Sequence, residues 1–208
     1  MKMKKNVLIL IPSQLEYNAL KDLFKKLGFE VEKCGVGVVQ SAIQSYKILK
    51  EYKPRIVILT GLAGGYPEKG LSIGDIIIAS KEIWADAGKK EKGSYNKLSD
   101  ELEMITEIAV SKDILNFFHM PQETTIKIGP MCTVCACSYE EQRAIDFSKK
   151  YNALAENMEG FAVALSAKEL GIPFAEVRAI SNLLGDCNNF WDKEKAFKNL
   201  SIFWECQK

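Results

Sequence analysis

The chain has 208 residues, of which 26% are charged and 47% are hydrophobic, and its 28 basic and 27 acidic residues leave a net charge of +1 at pH 7. This length suits one domain with a sizeable core, so we expect residues 1–208 to form a single domain. The balanced charge argues against a nucleic-acid partner, and the longest apolar runs are too short to span a bilayer, so we expect a cytoplasmic protein with no membrane partner.

Strand and helix patterns alternate along the first half of the chain. The apolar run "NVLILI" (6–11) predicts a strand, and "QLEYNALKDLFKKLG" (14–28) predicts a helix that ends at Gly28. The apolar face of this helix is predicted to consist of Leu15, Ala19, Leu20, Leu23, Phe24 and Leu27. Further predicted elements are a strand at 29–34, a tight turn at 35–37, a helix at 38–50, and strands at 55–61 and 75–80 around the glycine-rich "GLAGGYPEKG".

The same alternation continues to the C-terminus. The patterns predict a helix at 100–118, strands at 124–129 and 131–136, a helix at 139–150, a short strand at 153–158 and a helix at 159–171. A buried strand follows at 173–180, and a last helix begins near Asp192. Strands and helices in this order predict a three-layer α/β/α sandwich with a central mixed, largely parallel sheet.

The six cysteines are too sparse for a disulfide scaffold, so free thiols are expected. Three of them lie in "CTVCACS" (132–138), which superficially resembles a metal-binding motif. A closed zinc site needs four ligands, and the single histidine, His119, is separated from this segment by "MPQETTIKIGP". We therefore expect no metal site and interpret these cysteines as small buried hydrophobes.

Polar residues follow several of the predicted strands, and ligands of largely parallel sheets bind at the carboxyl ends of strands. This rule nominates Glu16, the pair Ala63–Gly64, Glu159, and the pair Ser181–Asn182. The last pair ends "EVRAISN" (176–182), a predicted buried strand with Arg178 in its middle. A structural interpretation is also open, in which Arg178 pairs with a carboxylate and Asn182 turns the chain.

Two carboxylates and an arginine near one crevice suit the hydrolysis of a glycosidic bond. The transition state has oxocarbenium character, and one carboxylate is needed to activate water. Glu159 could accept two sugar hydroxyl groups, and Asn182 could donate one hydrogen bond and accept another at the lactam edge of a base. The alternative for Glu159 is a helix-start acid that favours the helix dipole, and for Glu16 it is a solvated first-turn acid.

Other chemistries fit the residues less well. A Ser-His-Asp triad would depend on His119, which follows the end of an amphipathic helix pattern. The glycine stretches "GLAGG" and "GVG" lack the spacing of a Walker or dinucleotide fingerprint. We expect no cofactor.

Five ordered stretches resemble the nucleoside phosphorylase/nucleosidase superfamily. They are "SQLEYNAL", "GVGVVQSA", "TGLAGG" followed by "LSIGDIIIAS", "ENMEG" and "VRAISN", and they cover nearly the whole chain. The hydrolytic branch, which includes the methylthioadenosine/adenosylhomocysteine nucleosidases, is the most similar. Within it, "AENMEGFAVAL", "EVRAISN" and "NFWDKEKAFKNL" resemble the futalosine hydrolases of menaquinone biosynthesis.

The resemblance implies a role for each motif residue. Glu16 would activate the attacking water, Arg178 would help to hold that water and Glu159, and Asn182 would stand where adenine-specific nucleosidases have an aspartate that serves purine N7. The predicted substrate-binding residues would contact the ribose (Met158, Glu159), the base (Ala63, Gly64, Tyr139) and the 5′ substituent (Val36, Phe190, Trp191), and Asn157 and Ser181 are also predicted to bind the substrate. A homodimer is also implied, with the partner closing the 5′ pocket.

Two departures from the superfamily bear on the reaction. Leu62 stands where adenosine-type nucleosidases usually have a serine, so a contact to water is missing or moved. The only arginines are Arg55, Arg143 and Arg178, whereas the phosphorylases bind phosphate with arginines in the first loop and near the glycine loop. The resemblance therefore implies hydrolysis of futalosine to hypoxanthine, with methylthioadenosine, adenosylhomocysteine or aminodeoxyfutalosine as alternative substrates. A non-catalytic nucleoside-binding protein on the same fold is the alternative from another class.

Overall fold

The computed structural model describes residues 6–91, 94–96, 98, 102–116, 118–186 and 190–207. The strands are β1 (Val7–Ile11), β2 (Glu30–Lys33), β3 (Ile56–Gly65), β4 (Ile76–Trp84), β5 (Lys89–Glu91), β6 (Ser94–Asn96), β7 (Glu107–Ala109), β8 (Ile126–Thr133), β9 (Ala155–Asn157) and β10 (Phe174–Leu183). The helices are α1 (Gln14–Leu27), α2 (Val38–Tyr52), α3 (Lys112–Leu115), α4 (Glu141–Tyr151), α5 (Gly160–Glu169) and α6 (Lys193–Glu205). None of the helices described could cross a membrane, by length and hydropathy.

One mixed sheet organises the molecule, in the strand order β10-β4-β8-β9-β3-β1-β2, with β7 on the outer part of β4. Strand β10 also pairs with β3, so β3, β10, β4, β8 and β9 close into a ring from which β1 and β2 extend. The pairs β1–β2, β1–β3, β3–β10, β4–β8 and β8–β9 are parallel. The predicted fold class is confirmed.

Alternate residues of β1 pack into two separate cores. Val7, Ile9 and Ile11 pack in a cluster with α1 and α6, whereas Leu8 and Leu10 pack in a cluster with α2 and α5. Successive side chains of a strand point to opposite faces of the sheet, and both faces here are covered by helices. This double burial explains why β1 is a continuous apolar run rather than an alternating one.

The predicted helix at 100–118 is wrong. Residues Glu107–Ala109 form β7, which pairs antiparallel with β4, and only Lys112–Leu115 is helical. Positions 100, 101 and 117 lie outside the described residues. The exposed backbone groups at the outer part of β4 offer hydrogen bonds to an extended segment, and this tertiary pairing overrides the local helical pattern.

The two strands predicted at 124–129 and 131–136 are one strand, β8, which continues through Pro130. Proline has no backbone N–H and normally interrupts a sheet interior. The register between β4 and β8 shifts here, because Ala79 pairs with Gly129 and Lys81 pairs with Pro130. The irregularity lets the chain pass a proline without ending the strand.

The apolar face predicted for α1 is partly wrong. Leu15 is 50% exposed, whereas the buried residues are Glu16, Leu20, Phe24 and Leu27. These four share one face by their spacing, and the first of them is a carboxylate. The buried face of α1 therefore begins with an acid, and this acid lies at a cavity.

Candidate active site

A cavity of about 500 Å³ opens at the carboxyl ends of β1, β3 and β10, where polar residues were predicted to converge. It brings together all but one of the predicted site residues: Glu16, Val36, Ala63, Gly64, Tyr139, Asn157, Met158, Glu159, Arg178, Ser181, Asn182 and Trp191. Phe190 does not line it and is 60% exposed. Trp191 lines the cavity, and a contact between Phe190 and the 5′ substituent stays a prediction.

Glu16 is held in place by the start of α1. Ser13 caps the helix and Glu16 is its third residue, so the two form a reciprocal capping box. Glu16 Oε2 accepts hydrogen bonds from Ser13 N at 3.0 Å and from Ser13 Oγ at 2.5 Å. Glu16 Oε1 accepts one from Leu62 N at 2.8 Å. Glu16 is buried, so the interpretation as a solvated first-turn acid is wrong.

The Arg178 guanidinium, which is 1% exposed, links the two carboxylates of the site. Its Nη2 donates to Glu159 Oε2 at 3.2 Å, and its Nη1 lies 4.0 Å from Glu16 Oε1. Nη1 also donates to the carbonyl of Leu62 at 3.1 Å. Glu159 in turn accepts from Gly37 N at 3.1 Å. Burial raises the pKa of Glu159 above its ordinary value, and the neighbouring Arg178 opposes this shift.

Strand β3 approaches Glu16 and Arg178 so closely that a side chain at position 61 would displace them. A Cβ at Gly61 would overlap Glu16 Oε1 and would lie 3.1 Å from Arg178 Nη1. The next residue, Leu62, contacts Glu16 through its backbone N–H. Its side chain packs against the core cluster that β1 forms with α1 and α6. The serine-to-leucine departure therefore removes a hydroxyl but keeps a backbone donor to the carboxylate.

Asn182 also lines the cavity, and it is the last residue but one of β10. Its Oδ1 accepts a hydrogen bond from Ser181 Oγ at 2.9 Å. The amide nitrogen can donate to a ligand, and Oδ1 keeps a second lone pair that can accept. Asn182 is registered with Gly64 across the β3–β10 pair.

Asn157 borders the cavity, but the contacts of its side chain lie on the protein side. Its Oδ1 accepts from the backbone N–H groups of Glu159 at 2.9 Å and Gly160 at 2.7 Å. These bonds satisfy donors at the start of α5, which would otherwise lack partners. Asn157 thereby fixes the backbone that carries Glu159, and a direct contact between Asn157 and the substrate stays a prediction.

Several residues of the cavity were missed by the sequence reasoning: Ser13, Leu15, Val134, Cys137, Ser138, Glu156, Leu184 and Lys193. Glu156 accepts from Ser138 N at 2.6 Å, from Ser138 Oγ at 2.7 Å and from Tyr66 Oη at 3.2 Å. Burial raises the pKa of Glu156, and the hydrogen bonds from Ser138 oppose the shift. The one available signal was a glutamate inside the apolar segment "ALAENM".

The cysteines of "CTVCACS" do not share one environment. Cys132 is buried, Cys135 and Cys137 are exposed, and Cys137 Sγ lies 3.6 Å from Met158 Sδ at the cavity. The interpretation of all three as buried hydrophobes is therefore wrong for Cys135 and Cys137. Cys187 lies outside the described residues. Within the described ranges, no cluster of three or more His, Cys, Asp or Glu side chains could hold a metal ion.

Comparisons with known proteins identify the family of the chain. Residues 30–201 match the model of the phosphorylase superfamily. A 5′-methylthioadenosine/S-adenosylhomocysteine nucleosidase of Staphylococcus aureus is 28% identical over 158 residues, which cover 74% of this chain and 68% of the relative.

Two solved structures of the same fold cover almost the whole chain. The futalosine hydrolase of Helicobacter pylori superposes with a TM-score of 0.83 at 19% identity, covering 100% of this chain and 98% of that one. The Neisseria meningitidis 5′-methylthioadenosine/S-adenosylhomocysteine nucleosidase, in complex with methylthio-immucillin-A, superposes with a TM-score of 0.77 at 19% identity, covering 97% of each chain. Since the family model spans most of the chain and the fold agrees with it, this protein belongs to the phosphorylase superfamily.

Proposed function

We propose that this protein hydrolyses the N-glycosidic bond of a purine nucleoside. The observation that carries the proposal is the position of Glu16 and Glu159 around the buried guanidinium of Arg178, at one cavity. In the reaction, a water oxygen bonds to C1′ while the bond between C1′ and N9 breaks. Glu16 takes a proton from the water, and the departing base takes up a proton from solvent or through its hydrogen-bonded edge.

Glu159 has a different role from Glu16 because of its partners. It is held by one backbone N–H and by Arg178, which leaves acceptor sites on its two oxygens for ribose hydroxyl groups. Hydrogen bonds to a carboxylate that strengthen as positive charge builds up on the sugar favour the transition state. Glu159 and Met158 therefore form the ribose subsite of the proposal.

Water is the nucleophile in this proposal, rather than phosphate. Arg178, the arginine of the cavity, already contacts Glu176, Glu159 and a backbone carbonyl. Arg143 is bound to Asp86 and to the carbonyl of Ala136. A phosphate beside Arg178 would meet the negative charges of Glu16 and Glu159, whereas a water molecule can donate to a carboxylate and accept from the guanidinium.

Asn182 supports a 6-oxopurine base. Ser181 donates to its oxygen, and its uncharged N–H₂ group can donate to a base. The O6 and N7 atoms of hypoxanthine are both acceptors, whereas adenine carries a donor at the 6-position. Of the substrates that the superfamily suggests, futalosine carries hypoxanthine, and we propose it as the substrate.

The mouth of the cavity supports a substrate with an extended 5′ group. It is lined by the half-exposed apolar side chains of Leu15, Val36 and Trp191, together with the exposed Lys193. Futalosine has an aromatic carboxylate on its 5′ side, which suits an apolar wall and a cation. Replacement of Lys193 by Met should raise KM for futalosine about 1.5-fold to fivefold and leave KM for methylthioadenosine unchanged, because a surface ion pair contributes about 0.2–1 kcal/mol. Equal changes for the two substrates would contradict this role of Lys193.

An adenine-releasing nucleosidase is the second candidate, because the Staphylococcus aureus relative has the name of such an enzyme. The test is purine release from futalosine, aminodeoxyfutalosine, inosine and methylthioadenosine, each with and without phosphate. We expect hypoxanthine from futalosine at a rate that phosphate does not change. Preferential release of adenine would favour the second candidate, a ribose 1-phosphate product would contradict hydrolysis, and binding without turnover would favour a nucleoside-binding protein.

A further inference from the structure

Two carboxyl groups lie behind the site, and neither takes part in the proposed chemistry. Glu176 is on β10, two residues before Arg178, and Glu82 is on β4; both are fully buried. Residues two apart on a strand point to the same face, so Glu176 reaches the far side of the guanidinium. Its Oε1 accepts from Arg178 Nε at 2.7 Å, the shortest contact that Arg178 makes with a carboxylate among the described residues.

The second oxygen of Glu176 has no donor if both acids are ionised. Glu176 Oε2 is buried and makes no hydrogen bond to an ordinary donor within the described part of the chain. It lies beside the carboxyl group of Glu82, since a Cβ at Gly160 would overlap both carboxyl groups at once. A proton on Glu82 would supply the missing donor and would remove the repulsion between two buried anions.

Glu82 is also connected to the ribose side of the site. Thr133 Oγ1 donates to Glu82 Oε2 at 2.6 Å and accepts from Phe161 N at 2.7 Å. The amide of Asn157 lies 3.4 Å from both oxygens of Glu82, and its own oxygen holds the backbone of Glu159. The two acids thus contact Arg178 on one side and the start of α5 on the other.

We propose that Glu82 and Glu176 share one proton, held on Glu82, and act as positioning residues that fix Arg178 between Glu16 and Glu159. Glu176 is the ionised partner of the guanidinium, and neutral Glu82 donates to it. Arg178 on β10 contacts Glu176 of this pair directly. The other charged groups around Arg178 are Glu159, before α5, and Glu16 on α1. With a proton on Glu82, the buried cluster has one charge fewer to accommodate around a single cation.

Burial and the negative charge of Glu176 both favour the protonated form of Glu82. They raise the pKa of Glu82 well above its ordinary value, while Thr133 and Arg178 oppose the shift less strongly. Gly160 is required at the start of α5 because any side chain there would displace both acids. The inference rests on the proposed function, since positioning matters only if Arg178 serves the reaction.

The protonation state can be tested without turnover. Infrared difference spectra are recorded at neutral pH for wild-type protein minus Glu82→Gln and for wild-type protein minus Glu176→Gln. We expect the first difference to contain the carbonyl band of a protonated carboxylic acid and the second to contain the bands of an ionised carboxylate. A first difference without the protonated band would overturn the shared proton, whether or not any nucleoside is hydrolysed.

The positioning role is tested by kinetics of the same two variants, because both exchanges preserve side-chain shape. Gln at position 82 is neutral and still donates to Glu176, whereas Gln at position 176 removes the anion next to Arg178. We expect kcat to be at least about tenfold lower in Glu176→Gln than in Glu82→Gln, and Glu82→Leu to lose the activity that Glu82→Gln retains. Equal losses of kcat in the two Gln variants would show that Glu82 and Glu176 contribute only to packing, and would overturn the positioning inference. Inactive wild-type protein would instead count against the proposed function alone.

Discussion

At the scale of single residues, the proposed function assigns the selection of the base to the amide of Asn182. Asn182→Asp exchanges a donor for an ionised acceptor at a buried site. An ionised carboxylate would repel O6 of a 6-oxopurine and would suit the amino group of adenine. A buried group left unpaired costs about 1–3 kcal/mol, so the ratio of kcat/KM for futalosine over aminodeoxyfutalosine should fall about tenfold or more. Purine release from the two substrates measures it, and an unchanged ratio would remove Asn182 from base recognition.

Glu16 is the residue whose catalytic and structural roles can be separated. Glu16→Gln keeps the capping box, because glutamine serves as well as glutamate at the third helical position. The amide cannot take a proton from water, so kcat should fall by about 10²–10⁴-fold with little change in substrate affinity. Rates and thermal unfolding are measured together, and the unfolding midpoint should fall modestly while the protein stays folded, because one amide oxygen cannot accept from both Ser13 and Leu62 N. A variant that keeps a third of the wild-type rate would exclude Glu16 as the base.

At the scale of elements, the close approach of β3 to α1 sets the geometry of the cluster. Gly61→Ala would place a methyl group against Glu16 Oε1 and near Arg178. Both neighbours are ends of side chains, so the fold should persist while the carboxylate moves away from Leu62 N. We expect kcat to fall about a hundredfold, since misplacement of a catalytic group by about 1 Å has an effect of this size. Circular dichroism checks the fold. Full activity in a folded variant would show that the close approach of β3 does not fix the catalytic position of Glu16.

At the scale of the whole molecule, one face of α2 remains apolar and exposed. Val39, Ile43 and Tyr46 share this face by their spacing and are 73%, 51% and 41% exposed. Val36 and Leu15, which line the mouth of the cavity, are also about half exposed. An apolar patch that adjoins a ligand site is a candidate interface, and we propose that a second copy of the chain covers it and closes the 5′ pocket.

Sedimentation velocity tests this homodimer. The wild-type protein should sediment as a dimer, and the double exchange Val39→Glu and Ile43→Glu should give a monomer with a higher KM for futalosine. Ile128, which is 49% exposed on β8, provides a matched control, because Ile128→Glu adds a similar charge on another face. A wild-type monomer with full activity would contradict a partner that completes the site.

Much of the site could be predicted from the sequence, because strands and the residues that follow them can be recognised from short segments of the chain. Apolar runs of strand length located β1, β3, β4 and β10, and parallel pairing then placed the residues after these strands at one edge of the sheet. Glu16, Glu159 and Asn182 were nominated in this way and Arg178 as a charge within a predicted buried strand, and the structure brings them to one cavity.

Only the tertiary structure decided the remaining features, because they depend on which distant segments pair. The outer part of β4 takes up residues 107–109 as a strand, against their helical pattern, and the register shift of β4 lets β8 pass Pro130. Pairing between β10 and β4 is also what brings Glu176 to Glu82 behind Arg178. A local pattern can show that a residue is buried, but the charge and the hydrogen-bond partner that meet it there are set by contacts across the sheet.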